Sequence, residues 1–108
     1  MRYLLLLLCT LSPLSFAASF DCAKAKTPDE KVICTNPKLN DLDVEMNVKY
    51  HFLRGLFAMG LSGKMYDDQK EWLRQRQQCK ANISCLKESY RQRISQLDTL
   101  YNSIDKPI

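Results

Sequence analysis

The chain has 108 residues, with 16 Lys and Arg against 12 Asp and Glu, a formal charge of +4. That length suits one domain. The excess of base is too slight to argue for a nucleic-acid partner, and no apolar run reaches the roughly 20 residues of a membrane span.

Met1-Arg2 is a short basic start, and residues 3–14 are mostly apolar with five consecutive leucines. Ser15-Phe16-Ala17 then puts small residues at positions −3 and −1 of a cleavage site before Ala18. This is the pattern of a secretory signal peptide over residues 1–17, leaving a domain over residues 18–108. Cys9 lies inside the apolar run without the small residues that a lipoprotein site requires before it, so it is expected to leave with the signal. Removing Arg2 takes the charge from +4 to +3.

Cys22, Cys34, Cys79 and Cys85 remain. An even count in a short exported chain implies disulfides formed in an oxidising compartment. The rival is a zinc site, whose usual signature is paired C-x2-C; here the gaps are x11 and x5, so no metal is expected. Local pairing, Cys22–Cys34 and Cys79–Cys85, is favoured, each loop contributing roughly 2–3 kcal/mol through the unfolded state. Crossed pairing stays open, because the end of the Trp72 helix should return near the start of the Pro37 helix.

Thr27-Pro28-Asp29-Glu30 is a helix start, with Thr27 as cap, Pro28 in the first turn and Glu30 completing a capping box. That helix is short, because Asn36-Pro37 restarts the pattern with Asn36 as N-cap. From Pro37 the spacing predicts a helix to about Met59. Leu39, Leu42, Met46, Tyr50, Leu53 and Phe57 form one stripe at three- and four-residue steps. Val44, Val48, Phe52 and Met59 fall on the opposite side, at roughly 100° per residue. Asp43, Asn47, His51 and Arg54 are expected to fill a polar strip between. Two apolar faces mean either a central helix packed on both sides or an exposed patch for a partner. With so few elements available as cover, the patch centred on Phe52 is expected to stay accessible.

Gly60-Leu61-Ser62-Gly63 reads as a C-cap and turn. The next helix is expected from about Lys64 to Gln78, with Met65, Gln69, Trp72 and Arg76 along one side and Leu73 beside them. Asp67-Asp68 then falls in its first turn, where carboxylates suit the helix dipole. Trp72 should lie in the core against the Tyr50 stripe and the Tyr90 helix. Asn82 or Ser84 caps a last helix carrying Leu86, Tyr90, Ile94, Leu97, Tyr101 and Ile104 to near Asp105. No stretch alternates with period two. The expected fold is all-α: a small disulfide-stapled helical bundle of one short helix and three main antiparallel helices.

Asp21-Cys22-Ala23-Lys24, Thr27, Glu30, Ile33-Cys34, Leu42-Asp43, Tyr50, Gln69, Trp72-Leu73, Arg76, Cys79, Cys85-Leu86, Tyr90 and Arg93 together resemble the lysozyme-inhibitor LprI-like family. The likeness covers nearly all of the chain beyond the signal. It implies a small exported bacterial protein, periplasmic or secreted, with lysozyme inhibition as its activity. Lipid anchorage does not carry over, because no lipobox is present.

Chemistry of other kinds finds little footing. His51 stands alone on a polar strip. Four oxidised cysteines leave no thiol nucleophile. No serine sits in a G-x-S-x-G elbow, and no Gly-rich phosphate loop calls for a cofactor. No catalytic residue is therefore assigned. Arg74, Arg76, Lys80, Lys87, Arg91 and Arg93 cluster in sequence around the cystine turn. They form either a solvated surface, with Arg76 and Arg93 pairing to acids such as Glu30 or Asp43, or an anionic site. The expected role is a binding protein directed at a lysozyme-type hydrolase, with an anionic envelope polymer or a secreted toxin as alternative partners. The candidate contacts are Phe52, Val48, Val44, Arg74, Arg76 and Arg93. Common lysozymes are basic, so contact chemistry rather than long-range steering has to supply affinity.

Overall fold

A computed structural model describes residues 18–57 and 59–104, with the side chain of Met59 excepted. The expected signal peptide over residues 1–17 lies outside the described residues. A 3-10 turn at Cys22–Lys24 precedes four helices: α1 (Pro28–Thr35), α2 (Pro37–Leu56), α3 (Met59–Gln78) and α4 (Ile83–Asn102). No strand occurs among the described residues, and the all-α bundle holds.

The helix starts follow from local chemistry. Glu30 Oε1 accepts from the backbone N–H groups of Lys26 (2.9 Å) and Thr27 (3.3 Å), its half of a capping box. Asn36 accepts from the Leu39 N–H at 3.0 Å, and Asn82 from the Cys85 N–H at 3.0 Å. Each satisfies a donor that the first turn leaves without a partner.

Cross-helix contacts fix the directions. Asp43 meets Tyr90, Lys49 meets Asp98 and Phe52 meets Tyr101. Both numbers rise together, so α2 and α4 run parallel. Met46 meets Gln69 while Arg54 meets Ser62, so α3 runs back against α2. Gln69 to Arg93 and Trp72 to Ser89 make α4 antiparallel to α3. The short α1 lies at the end where α2 begins and α3 ends, with Asp29 reaching Arg76. Both cystines are local: Cys22–Cys34 ties the 3-10 turn to α1, and Cys79–Cys85 spans the α3–α4 turn.

One stripe of each helix makes the core: Ile33 of α1; Leu39, Met46, Tyr50 and Leu53 of α2; Met65 and Trp72 of α3; Leu86, Tyr90, Ile94 and Leu97 of α4. The Trp72 ring stands edge-on to Tyr90 at 5.1 Å, and its indole N–H donates to the Ser89 carbonyl at 3.1 Å.

Three expectations change. The long helix stops at Leu56, and Gly60-Leu61-Ser62-Gly63 lies inside α3 rather than in a turn. Glycine costs about 1 kcal/mol against alanine inside a helix, which the added turn offsets with its own hydrogen bonds and the 3.2 Å bond from Arg54 Nε to Ser62 Oγ. No glycine takes the left-handed conformation of a C-cap; Lys80, at φ 54°, does so in the α3–α4 turn. Second, Asp67-Asp68 therefore sits mid-helix, where Asp68 pairs with Lys64 at 2.9 Å. Third, Asp43 is fully buried rather than on a polar strip. Leu39, Asp43, Met46 and Tyr50 recur at steps of four, three and four, so Asp43 shares the core stripe.

Candidate functional site

The interior holds a polar network that joins all four helices. Arg76 of α3 donates through Nε to Asp29 Oδ2 of α1 at 2.9 Å and through Nη1 to the Tyr90 hydroxyl at 3.3 Å. Tyr90 of α4 donates in turn to Asp43 Oδ1 of α2 at 2.7 Å. Asp43 Oδ2 accepts from the Ser19 backbone N–H at 2.6 Å. Asp29, Asp43 and Tyr90 are fully buried and Arg76 almost so. Burial pulls the Arg76 pKa down, but Tyr90 and Asp29 outweigh it and hold the guanidinium charged. Burial, and after it the negative charge of Asp43, pushes the Tyr90 phenol far above its ordinary value. This network holds helices together, and Asp29, Asp43 and Tyr90 have no surface open to a ligand.

The candidate arginines separate. Arg76 and Arg93 are inside, so neither is a surface contact. Of the two acids expected for Arg76, Asp43 lies at 4.0 Å, while Glu30 is engaged at its own helix start and Asp29 takes the closer place at 2.9 Å. Arg93 takes no carboxylate among the described residues; its Nε donates to Gln69 Oε1 at 2.9 Å and its Nη1 to Gln96 Oε1 at 3.0 Å. Burial lowers its pKa, with the charge of Asp68 working the other way. Arg74 is exposed and pairs with Glu71 one turn back. The arginine and lysine run around the cystine turn is thus no single surface.

The apolar candidates do come together. Val48 is 61% exposed and Phe52 56%, with Leu56 at 53% continuing the line and Val44 half-buried at its start. Asp41, Glu45, Val48, Phe52 and Leu56 step by four, three, four and four, so they share the outer face of α2. Tyr101 of α4 borders it, its ring 6.3 Å from that of Phe52. Lys49 bridges Glu45 (2.8 Å) and Asp98 (2.9 Å) along this edge. A shallow hollow of about 320 Å³ opens between Lys49, Phe52, Leu97 and Tyr101. Leu56 and Tyr101 were absent from the sequence candidates. The i, i+4 step from Phe52 signals Leu56; Tyr101 is placed there only by the parallel register of α2 and α4.

On the other side of α2, a groove against α3 holds Asn47, His51, Arg54, Tyr66, Lys70 and Gln77. Among the described residues no group of His, Cys, Asp or Glu is arranged to hold a metal ion, and no helix is long and apolar enough to cross a membrane.

A family model described as lysozyme inhibitor LprI matches residues 22–104. No curated protein and no solved structure matches the chain. The matched span begins at the first cystine and takes in the buried network and all four helices. The chain belongs to the lysozyme inhibitor LprI family.

Proposed function

We propose that this is an exported, non-enzymatic protein that binds a lysozyme-type peptidoglycan hydrolase and covers its cleft with the outer face of α2. The observation that carries the reading is the family match over residues 22–104. The face adds one support. Val48, Phe52 and Leu56 leave a contiguous apolar line in water on a protein whose core is otherwise well closed, and such patches mark contact surfaces. The charges on the face are mixed, Asp41, Glu45 and Asp98 standing with Lys38, Lys49 and Arg91, so contact chemistry rather than long-range steering supplies the affinity. Two cystines and a buried ion network keep the face rigid, which limits the ordering cost of binding.

The test is lysis of a cell-wall suspension by a basic lysozyme in the presence of the purified protein of residues 18–108. Inhibition that saturates near one inhibitor per enzyme, with a complex on gel filtration, is the expected result. Undisturbed lysis with no complex at micromolar protein overturns the reading.

A further inference from the structure

We propose that the groove between α2 and α3 binds an acidic saccharide, a hydroxylated ring that carries a carboxylate or phosphate. The site is separate from the outer face of α2 and needs no hydrolase, so it stands or falls independently of the inhibitor reading. The groove encloses about 410 Å³, within the range of small-ligand sites.

Its chemistry is that of anion and ring recognition. Arg54 Cζ lies 4.8 Å from the centre of the Tyr66 ring and Lys70 Nζ lies 5.3 Å from it, so two cations converge on one exposed aromatic side chain. Neither makes an ion pair among the described residues, whereas Lys49 and Lys64 on the same two helices each have a carboxylate. Arg54 is anchored by its Nε on Ser62 Oγ at 3.2 Å. That bond leaves the rest of the guanidinium without a counter-charge. The one carboxylate lining the groove, Glu30, is taken up by the backbone N–H groups of Lys26 and Thr27. At the floor Arg76 is matched by Asp29 and Asp43. The unmatched positive charge therefore lies with Arg54 and Lys70. The side-chain amides of Asn47 and Gln77 line the same space with no hydrogen-bond partner among the described residues.

These parts divide the work. Arg54 and Lys70 hold the anionic group, Arg54 as a planar fork and Lys70 as a point charge. The Tyr66 ring packs against the C–H face of the sugar. Asn47 and Gln77 each offer both a donor and an acceptor to hydroxyls.

The experiment is nitrogen-15 chemical-shift titration of the protein of residues 18–108 with glucuronic acid, glucose 6-phosphate, glucose and inorganic phosphate. Saturable shifts at Arg54, Tyr66 and Lys70 are expected with either acidic sugar, the stronger naming the anion preferred. Glucose and inorganic phosphate should each bind at least tenfold more weakly. Arg54→Gln with Lys70→Gln should weaken the acidic sugar at least tenfold with the helical circular-dichroism signal and Trp72 fluorescence unchanged; Tyr66→Ala gives a second, uncharged test in the same direction. Equal binding of glucose, equal binding of inorganic phosphate, shifts centred elsewhere, or no saturation at 10 mM (roughly −2.7 kcal/mol) overturns the proposal.

Discussion

Replacing Arg76 by Met isolates the buried network. Among the described residues, the guanidinium is the only hydrogen-bond partner of Asp29 Oδ2, and the Asp29 Oδ1 atom has none. It also lies 4.0 Å from Asp43 Oδ1. Both carboxylates are fully buried, so the substitution leaves two desolvated acids with no cation. Breaking a buried pair in this way costs about 3–5 kcal/mol. A domain of this size has about 4–13 kcal/mol in all, so the loss is a large share of the whole. In melting temperature it corresponds to a fall of roughly 12 °C or more. Urea unfolding followed by circular dichroism at pH 7 should show the loss. A loss below about 1 kcal/mol refutes the reasoning.

The raised pKa of Tyr90 means that its contribution is complete below the ordinary phenol value of 10.0 and is lost as pH rises above it; stability should fall by up to about 1.4 kcal/mol per pH unit above 10, with Tyr90→Phe leaving the smaller slopes of Tyr50, whose phenol burial also raises, and of Lys49, which its bonds to Glu45 and Asp98 raise. Trp72→Ala should cost about 3–5 kcal/mol in urea unfolding, since the ring is 6% exposed and makes both an aromatic contact and a hydrogen bond; an unchanged midpoint removes it from the core. Lys80→Gly should raise stability by about 1 kcal/mol, because Lys80, alone among the described residues, holds a positive φ and glycine relieves that strain; a lowered midpoint contradicts this.

Much of the fold was legible where the signals are local. Asn36-Pro37 and Asn82 announce helix starts, and the two short cysteine spacings match the bonds formed. The glycines were misread because their cost of about 1 kcal/mol each is smaller than what a continued helix gains from packing. Asp43 was misread by residue type, although its spacing from Leu39 and Met46 belongs to the core. The Asp29–Arg76 pair is 47 residues apart in sequence, and no local rule could have chosen Asp29 over Glu30; only the placement of α1 beside the end of α3 does. The outer face was half legible. Val48 and Phe52 stand out as a second stripe on one helix, Leu56 continues it at the i, i+4 step, and Tyr101 completes it only through the register of α2 and α4. The groove was not legible, because Arg54, Tyr66 and Lys70 meet only once α3 runs back along α2.

The central claim is that the outer face of α2 inhibits a lysozyme-type hydrolase. Its most direct measurement is the inhibition constant of wild type and of Phe52→Asp against a basic lysozyme, with circular dichroism and melting temperature recorded on both. The account predicts an unchanged helical signal, melting within about 3 °C, and inhibition weakened at least a hundredfold, about 2.7 kcal/mol. Full inhibition by Phe52→Asp contradicts it.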